Sequence, residues 1–261
     1  MANPKILYTD LSSIFFKPGL TDSAYPATNL NNYILSSTWK SSATTENQVL
    51  DFTSSLSQSC NTLVIDNHNL GSLGNNYVGI GFYTSSNGVS WNGVGDIVLS
   101  GGYITPNTIL YQFPTVNSRF WRIYITGDNP FAVKPSVGNI FVGSALEFST
   151  PYDGGFKIEN TEYKTTEFVT LSGTTRTSQQ YKGRIVYELK FSLQTDALRT
   201  AFQTFVRAVR GRMYPFYFID TDGTTIRYMN LESDYVPVVA SNATGRYGIE
   251  SLIMKTNEST Y

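Results

Sequence analysis

The chain has 261 residues, only 15% of them charged, with 19 basic residues against 20 acidic ones and a single cysteine. A near-neutral balance without segregated charge argues against a nucleic-acid-binding protein or one held on an anionic membrane surface. One thiol excludes an internal disulfide framework and any multi-thiolate metal or iron–sulfur site. Tyr and Phe, with Ser, Thr, Asn and Gly, take the space that charge leaves, and that mixture favours short strands and tight turns, so the expected class is mainly β.

The opening residues Met1 to Tyr8 reach Asp10 and Ser12 before an apolar run of signal-peptide length forms. No window approaches a transmembrane span, so synthesis in the cytosol without membrane insertion is expected. From there to about Thr150 the pattern is short strands. Ile14-Phe15-Phe16 is closed by Pro18-Gly19, and a polar loop over Tyr25 to Asn32 leads to Trp39-Lys40-Ser41. Gln48 to Phe52 alternates like a half-buried strand, whereas Thr62 to Asp66 is a continuous apolar run expected at the centre of a sheet. Val78 to Thr84 enters Ser85-Ser86-Asn87-Gly88, where Asn-Gly signals a hairpin, and Trp91 follows. Phe120 to Ile125 and Val137 to Gly143 complete the set.

These pieces, in this order, resemble a discoidin or galactose-binding-like jelly roll. The resemblance is carried by Trp39-Lys40-Ser41, the strand Gln48 to Phe52, Leu63-Val64-Ile65, Ser86-Asn87-Gly88 with Trp91, Arg119-Phe120-Trp121-Arg122 and Ile140 to Gly143. It implies a β-sandwich over residues 1–150 and, from some relatives, carbohydrate or lipid binding.

Pro151-Tyr152-Asp153-Gly154-Gly155 is the expected boundary. After it, Thr165 to Leu171, a Ser172-Gly173 turn and Thr174-Thr175-Arg176 read as a hairpin. Tyr187, Leu189, Phe191 and Leu193 then alternate with polar residues, the period of a half-buried strand. Across Thr195 to Arg210 the period changes: Leu198, Phe202, Phe205, Val206 and Val209 fall on one helical stripe. Thr195 caps the start, Asp196 meets the positive end of the dipole, and Gly211 suits a left-handed stop. Strands are expected at Phe216 to Asp220, Thr224 to Leu231, Tyr235 to Val239 and Ile249 to Met254.

The hairpin, the helix and the strand Gly211-Arg212-Met213-Tyr214-Pro215-Phe216-Tyr217-Phe218-Ile219-Asp220 resemble tailed-phage tail proteins built on the tail-tube β-barrel, with distal-tail and minor tail proteins nearest in pattern. That resemblance implies a C-terminal β-barrel with one amphipathic α-helix over residues 151–261. It further implies a virion protein forming a ring, sixfold like the tube, with itself and other phage tail proteins as partners. The jelly roll would decorate the ring and could contact a host-surface glycan. Arg207, Arg210 and Arg212 crowd the helix end, where they either complement exposed carbonyls or form a candidate subunit interface.

The sequence offers no catalytic, cofactor or metal residues. His68 is the only histidine, too few for a zinc site and without a nucleophile-elbow sequence beside it, so a hydrogen-bonding loop role is expected. Asp220-Thr221-Asp222-Gly223 fails the calcium-loop spacing and reads as a turn. Gly79-x-Gly81 and Gly101-Gly102 lack the following helix of a phosphate loop. Cys60 reads as a small buried hydrophobe, and Trp39 and Trp121 as core. Trp91, after a turn, is the candidate glycan contact. A polysaccharide-degrading role ranks last, and the expectation is a non-enzymatic protein.

Overall fold

A computed structural model describes residues 2–8, 14–34, 36–44, 47–73, 77–100, 108–127, 130–153, 157–162, 165–179, 183–232 and 247–257. The expected strand Tyr235 to Val239 and the Gly101-Gly102 pair lie outside the described residues. The chain leaves its first unit after eight residues and returns to it at Leu146: Met1–Tyr8 joins Leu146–Tyr261, and Thr9–Ala145 forms a second, inserted unit. The expected division at residue 150 is corrected accordingly. The cause is β1 (Lys5–Leu7), three residues long and too short to show a period. Its partners come from far along the chain: Ile6 is in register with both Leu146 and Phe218.

The inserted unit contains β2 (Ile14–Pro18), β3 (Trp39–Lys40), β4 (Gln48–Asp66), β5 (Tyr77–Ser85), β6 (Asn92–Ser100), β7 (Thr108–Gly127), β8 (Ser136–Val137) and β9 (Asn139–Gly143). Its main sheet runs β2-β4-β7-β5-β6, with β9 on the second half of β4. The two strands expected around Gln48 and Thr62 are one strand, β4, which stays paired to β7 through register breaks at Thr53/Gln58 and Cys60/Thr62. These breaks let the two halves of the ladder share a core. Phe113, from the first half of β7, lies 5.3 Å from Phe82 and 6.4 Å from Trp121 in the second half. Trp121 stacks on Phe82 at 5.4 Å and, more loosely, on Phe52 at 6.5 Å. Burying rings of this size stabilises by roughly 2–3 kcal/mol each before entropy is counted. Leu63, Val64 and Ile65 are buried between β7 and β9, as a central strand requires.

The other unit adds β10 (Leu146–Glu147), β11 (Lys157–Glu162), β12 (Thr165–Val169), β13 (Thr175–Gln179), β14 (Arg184–Gln194), α1 (Asp196–Ala208), β15 (Phe216–Ile219), β16 (Ile226–Leu231) and β17 (Tyr247–Thr256). Seven strands form an antiparallel sheet in the order β10-β1-β15-β16-β17-β14-β11. The segment that follows β10 packs back on β14. After β10, Phe148 stacks on Phe191 of β14 at 4.1 Å, and the Asp153 N–H donates to the Lys190 carbonyl at 2.8 Å. The curled sheet packs on α1, whose Leu198, Phe202, Phe205 and Val209 enter the core with Tyr187, Leu189 and Phe191.

Thr195 caps α1 as expected, its hydroxyl accepting from the Leu198 N–H at 3.3 Å. The helix stops earlier than Arg210, at Ala208, because Arg210 as well as Gly211 turns left-handed, with φ of 50° and 62°. Register shifts in β14 re-phase its end, so Gln194 is the residue that turns inward. Its amide donates to Thr150 Oγ1 at 2.6 Å and its carbonyl accepts from the Ser149 N–H at 3.0 Å. The mainly β class with one helix is observed.

Candidate functional site

Alternation divides the inserted sheet into two faces: Phe52, Trp121 and Phe82 point into the core, and their neighbours point outward. One outward row is set by register, running Lys17, Asp51, Arg122, Tyr83 and Gly93 across five strands. Within it Arg122 Nε donates to Asp51 Oδ1 at 2.6 Å and Nη2 to Oδ2 at 2.8 Å, a two-pronged, charge-assisted fork. Hydrogen bonding to Asp51 raises the Arg122 pKa further above its ordinary value. The pair is about 30% exposed, 29% for Arg122 and 32% for Asp51, so its contribution to stability is at most about 1 kcal/mol. Its effect on geometry is larger. The fork fixes the guanidinium over the Trp91 ring, 4.1 Å from the centroid.

Trp91 is delivered by the loop between β5 and β6. The Asn-Gly signal marks a hairpin, but the turn is wider than two residues and is built by side chains. Ser85 Oγ accepts from the Asn87 and Gly88 N–H groups at 3.2 and 2.9 Å, and Asn87 Oδ1 accepts from those of Val89 and Ser90 at 2.9 and 3.0 Å. Trp91, partly exposed, follows a loop that Ser85 and Asn87 hold in shape.

Tyr83, like Asp51 and Arg122, is a member that sequence reasoning did not single out. A Cβ at Gly81 would lie 2.6 Å from Tyr83 Cε2, and one at Gly93 3.8 Å from its Cε1, so the ring lies flat where two strands carry no side chains. The signal was present in Gly81, two residues before Tyr83 on β5, and in Gly93, in register with Tyr83 on β6, glycines that a phosphate-loop reading passes over. Trp91, Tyr83 and the Arg122–Asp51 fork together offer apolar ring surface beside donors and acceptors. Such a surface suits a ligand with one apolar face and a rim of hydroxyl groups.

The other singled-out residues lie elsewhere. Trp39, Trp121 and Cys60 are fully buried, and burial pushes the Cys60 thiol up to about 12. His68 is buried in the loop after β4, where Nδ1 accepts from the Leu70 N–H at 3.2 Å and Nε2 has no partner among the described residues; burial lowers its pKa to about 4. Its neighbour Asp66 accepts instead from Thr108 Oγ1 at 2.6 Å, so no Asp–His relay forms there. Asp222 caps its turn by accepting from Thr224 and Thr225, which lowers its carboxyl to about 2. Arg207, Arg210 and Arg212 are exposed in the other unit, with Arg210 over the Tyr214 ring at 5.4 Å and the Arg212 carbonyl accepting from Asn230. They and Trp91 belong to different units. No group of three His, Cys, Asp or Glu residues able to hold a metal occurs among the described residues.

No protein-family model matches the sequence, and no curated protein does. Solved structures do resemble part of it. A CBM32 module from Clostridium perfringens, in complex with GalNAc-β-1,3-galactose, is 11% identical with a TM-score of 0.43, covering 53% of this chain and 99% of its own. The family 32 carbohydrate-binding module of the C. perfringens protein NanJ, in complex with galactose, is 15% identical with a TM-score of 0.42, over 53% of this chain and 98% of its own. A chitosan-binding module from a Paenibacillus chitosanase/glucanase is 14% identical with a TM-score of 0.42, over 52% and 98%.

Proposed function

We propose that the inserted unit is a carbohydrate-binding module. The observation that carries this reading is the outward face on which Trp91 is pinned by a forked Arg122–Asp51 pair beside the flat ring of Tyr83. Rigid aromatic surface with fixed polar groups lowers the ordering cost of binding, and a pyranose has the matching chemistry: axial C–H groups for the ring and hydroxyls for the fork. No catalytic step is part of the proposal. The test is a glycan array with the intact protein and Trp91→Ala. Binding by the first that falls at least about tenfold in the second supports the reading, and a blank array for the intact protein sinks it.

A second reading concerns the other unit, and it rests on the hairpin β12–β13. This hairpin pairs only with itself among the described residues, and Phe168, Val169 and Leu171 on it are 50%, 68% and 111% exposed. An isolated two-stranded ribbon is marginal in water, and exposed apolar side chains on it favour a partner. Together with the sequence resemblance of the hairpin, helix and Gly211 to Asp220 strand to phage tail-tube proteins, the reading is a scaffold that assembles into a ring of copies in a virion tail and carries the module. Sedimentation velocity tests it: concentration-dependent oligomers lost on Phe168→Ser with Leu171→Ser agree with it, and a monomer at every concentration does not.

A further inference from the structure

Resting on the carbohydrate-binding reading, we infer that the Trp91 face takes uncharged sugars presenting adjacent hydroxyls, and that Asp51 is the residue that sets this preference over acidic polysaccharides. An acidic sugar needs a cation whose charge is available to it. Arg122 is the only cation seated on the Trp91 ring among the described residues, and its Nε and Nη2 already serve a carboxylate at 2.6 and 2.8 Å. The strand positions of the outward face around it are balanced as well. Lys17 and Asp51 are in register, as are Gly81 and Asp96, so among the strand positions of this face Lys17 and Arg122 are matched by Asp51 and Asp96, while Arg119 lies over the Phe120 ring with its Nε donating to the Ser54 carbonyl. A sugar carboxylate approaching the fork would gain little attraction and would meet Asp51.

The same fork suits a diol. A guanidinium has five N–H groups, of which this fork uses two, and each Asp51 oxygen can accept more than one hydrogen bond. Donor and acceptor therefore lie side by side, the arrangement that two adjacent hydroxyls satisfy, each giving one hydrogen bond and taking one. A neutral pair also has no net charge to be screened, so binding should be nearly independent of salt.

Affinity electrophoresis of the intact protein through gels containing galactomannan or polygalacturonate tests this. The expected result is retardation by galactomannan, unchanged when salt rises about tenfold, and none by polygalacturonate. Asp51→Asn, which leaves the Arg122 charge without its counterion, should gain salt-sensitive retardation by polygalacturonate of at least about tenfold in affinity. Wild-type protein held by polygalacturonate as strongly as by galactomannan would overturn the selectivity while leaving carbohydrate binding intact. Retardation by neither polymer, and a blank glycan array besides, would overturn both. The wild-type comparison decides the matter even if Asp51→Asn fails to fold.

Discussion

Two exposed apolar features of this chain differ in how they are held. Trp91 is fastened by a loop that Ser85 and Asn87 organise and by a guanidinium that Asp51 fixes in turn. Phe168, Val169 and Leu171 ride, exposed, on a two-stranded hairpin that pairs with no other strand among the described residues. The first feature has its ordering cost already met within the fold, which suits a small ligand that can offer few contacts of its own. The second leaves that cost to be met by whatever binds, which suits a surface as large as another copy. Exposure alone does not distinguish a ligand platform from an assembly edge; the shell behind the side chain does.

The strongest way to break the comparison is to remove the shell from below. Trp121→Ala should cost the inserted unit about 3–5 kcal/mol, because it deletes the ring stacked between Phe52 and Phe82, directly beside Arg122 in sequence. Calorimetry should show one of two transitions shifted down, with Cys60 becoming accessible to a thiol reagent and glycan binding lost, while self-association through the other unit persists. Acid should act on the same unit. Burial holds His68 at about 4 against an ordinary 6.5, so the unfolded chain binds the extra proton first. Stability is then full above pH 6.5 and falls as pH drops towards 4, by about 3 kcal/mol in all. A pH series of denaturation midpoints checks this, and His68→Gln should flatten it.

Smaller perturbations sharpen the contrast. Trp91→Ala should cost about 1.5–2 kcal/mol of glycan affinity with little change in melting temperature, since its ring is partly exposed. Gly81→Ala should weaken binding less, by lifting Tyr83 from its seat without touching Trp91. On the hairpin, Leu171→Ser should change stability by no more than about 0.5 kcal/mol yet weaken self-association, measured by sedimentation. If the hairpin variants reduce glycan binding as Trp91→Ala does, the two features are not separate devices.

The helix and its cap were legible in the sequence because period and capping act within a few residues, as Thr195 and the Leu198 to Val209 stripe show. The central strand Leu63 to Ile65 was legible for the same reason. The insertion was not, because β1 is defined by partners more than a hundred residues away and carries no local period. Trp91 could be singled out from its turn. What makes it a candidate site, the Arg122–Asp51 fork and the flat Tyr83, joins three strands and leaves only Gly81 and Gly93, the glycines beside the Tyr83 ring, as a trace.

The chain has three tryptophans, and only Trp91 reaches solvent, Trp39 and Trp121 being buried. Titrating the intact protein with a neutral galactomannan oligosaccharide while following the three indole N–H resonances by NMR therefore reads the proposed face directly. The account predicts that the Trp91 resonance shifts and saturates while the other two stay in place. A fixed Trp91 resonance at saturating sugar, or shifts confined to Trp39 and Trp121, would contradict it.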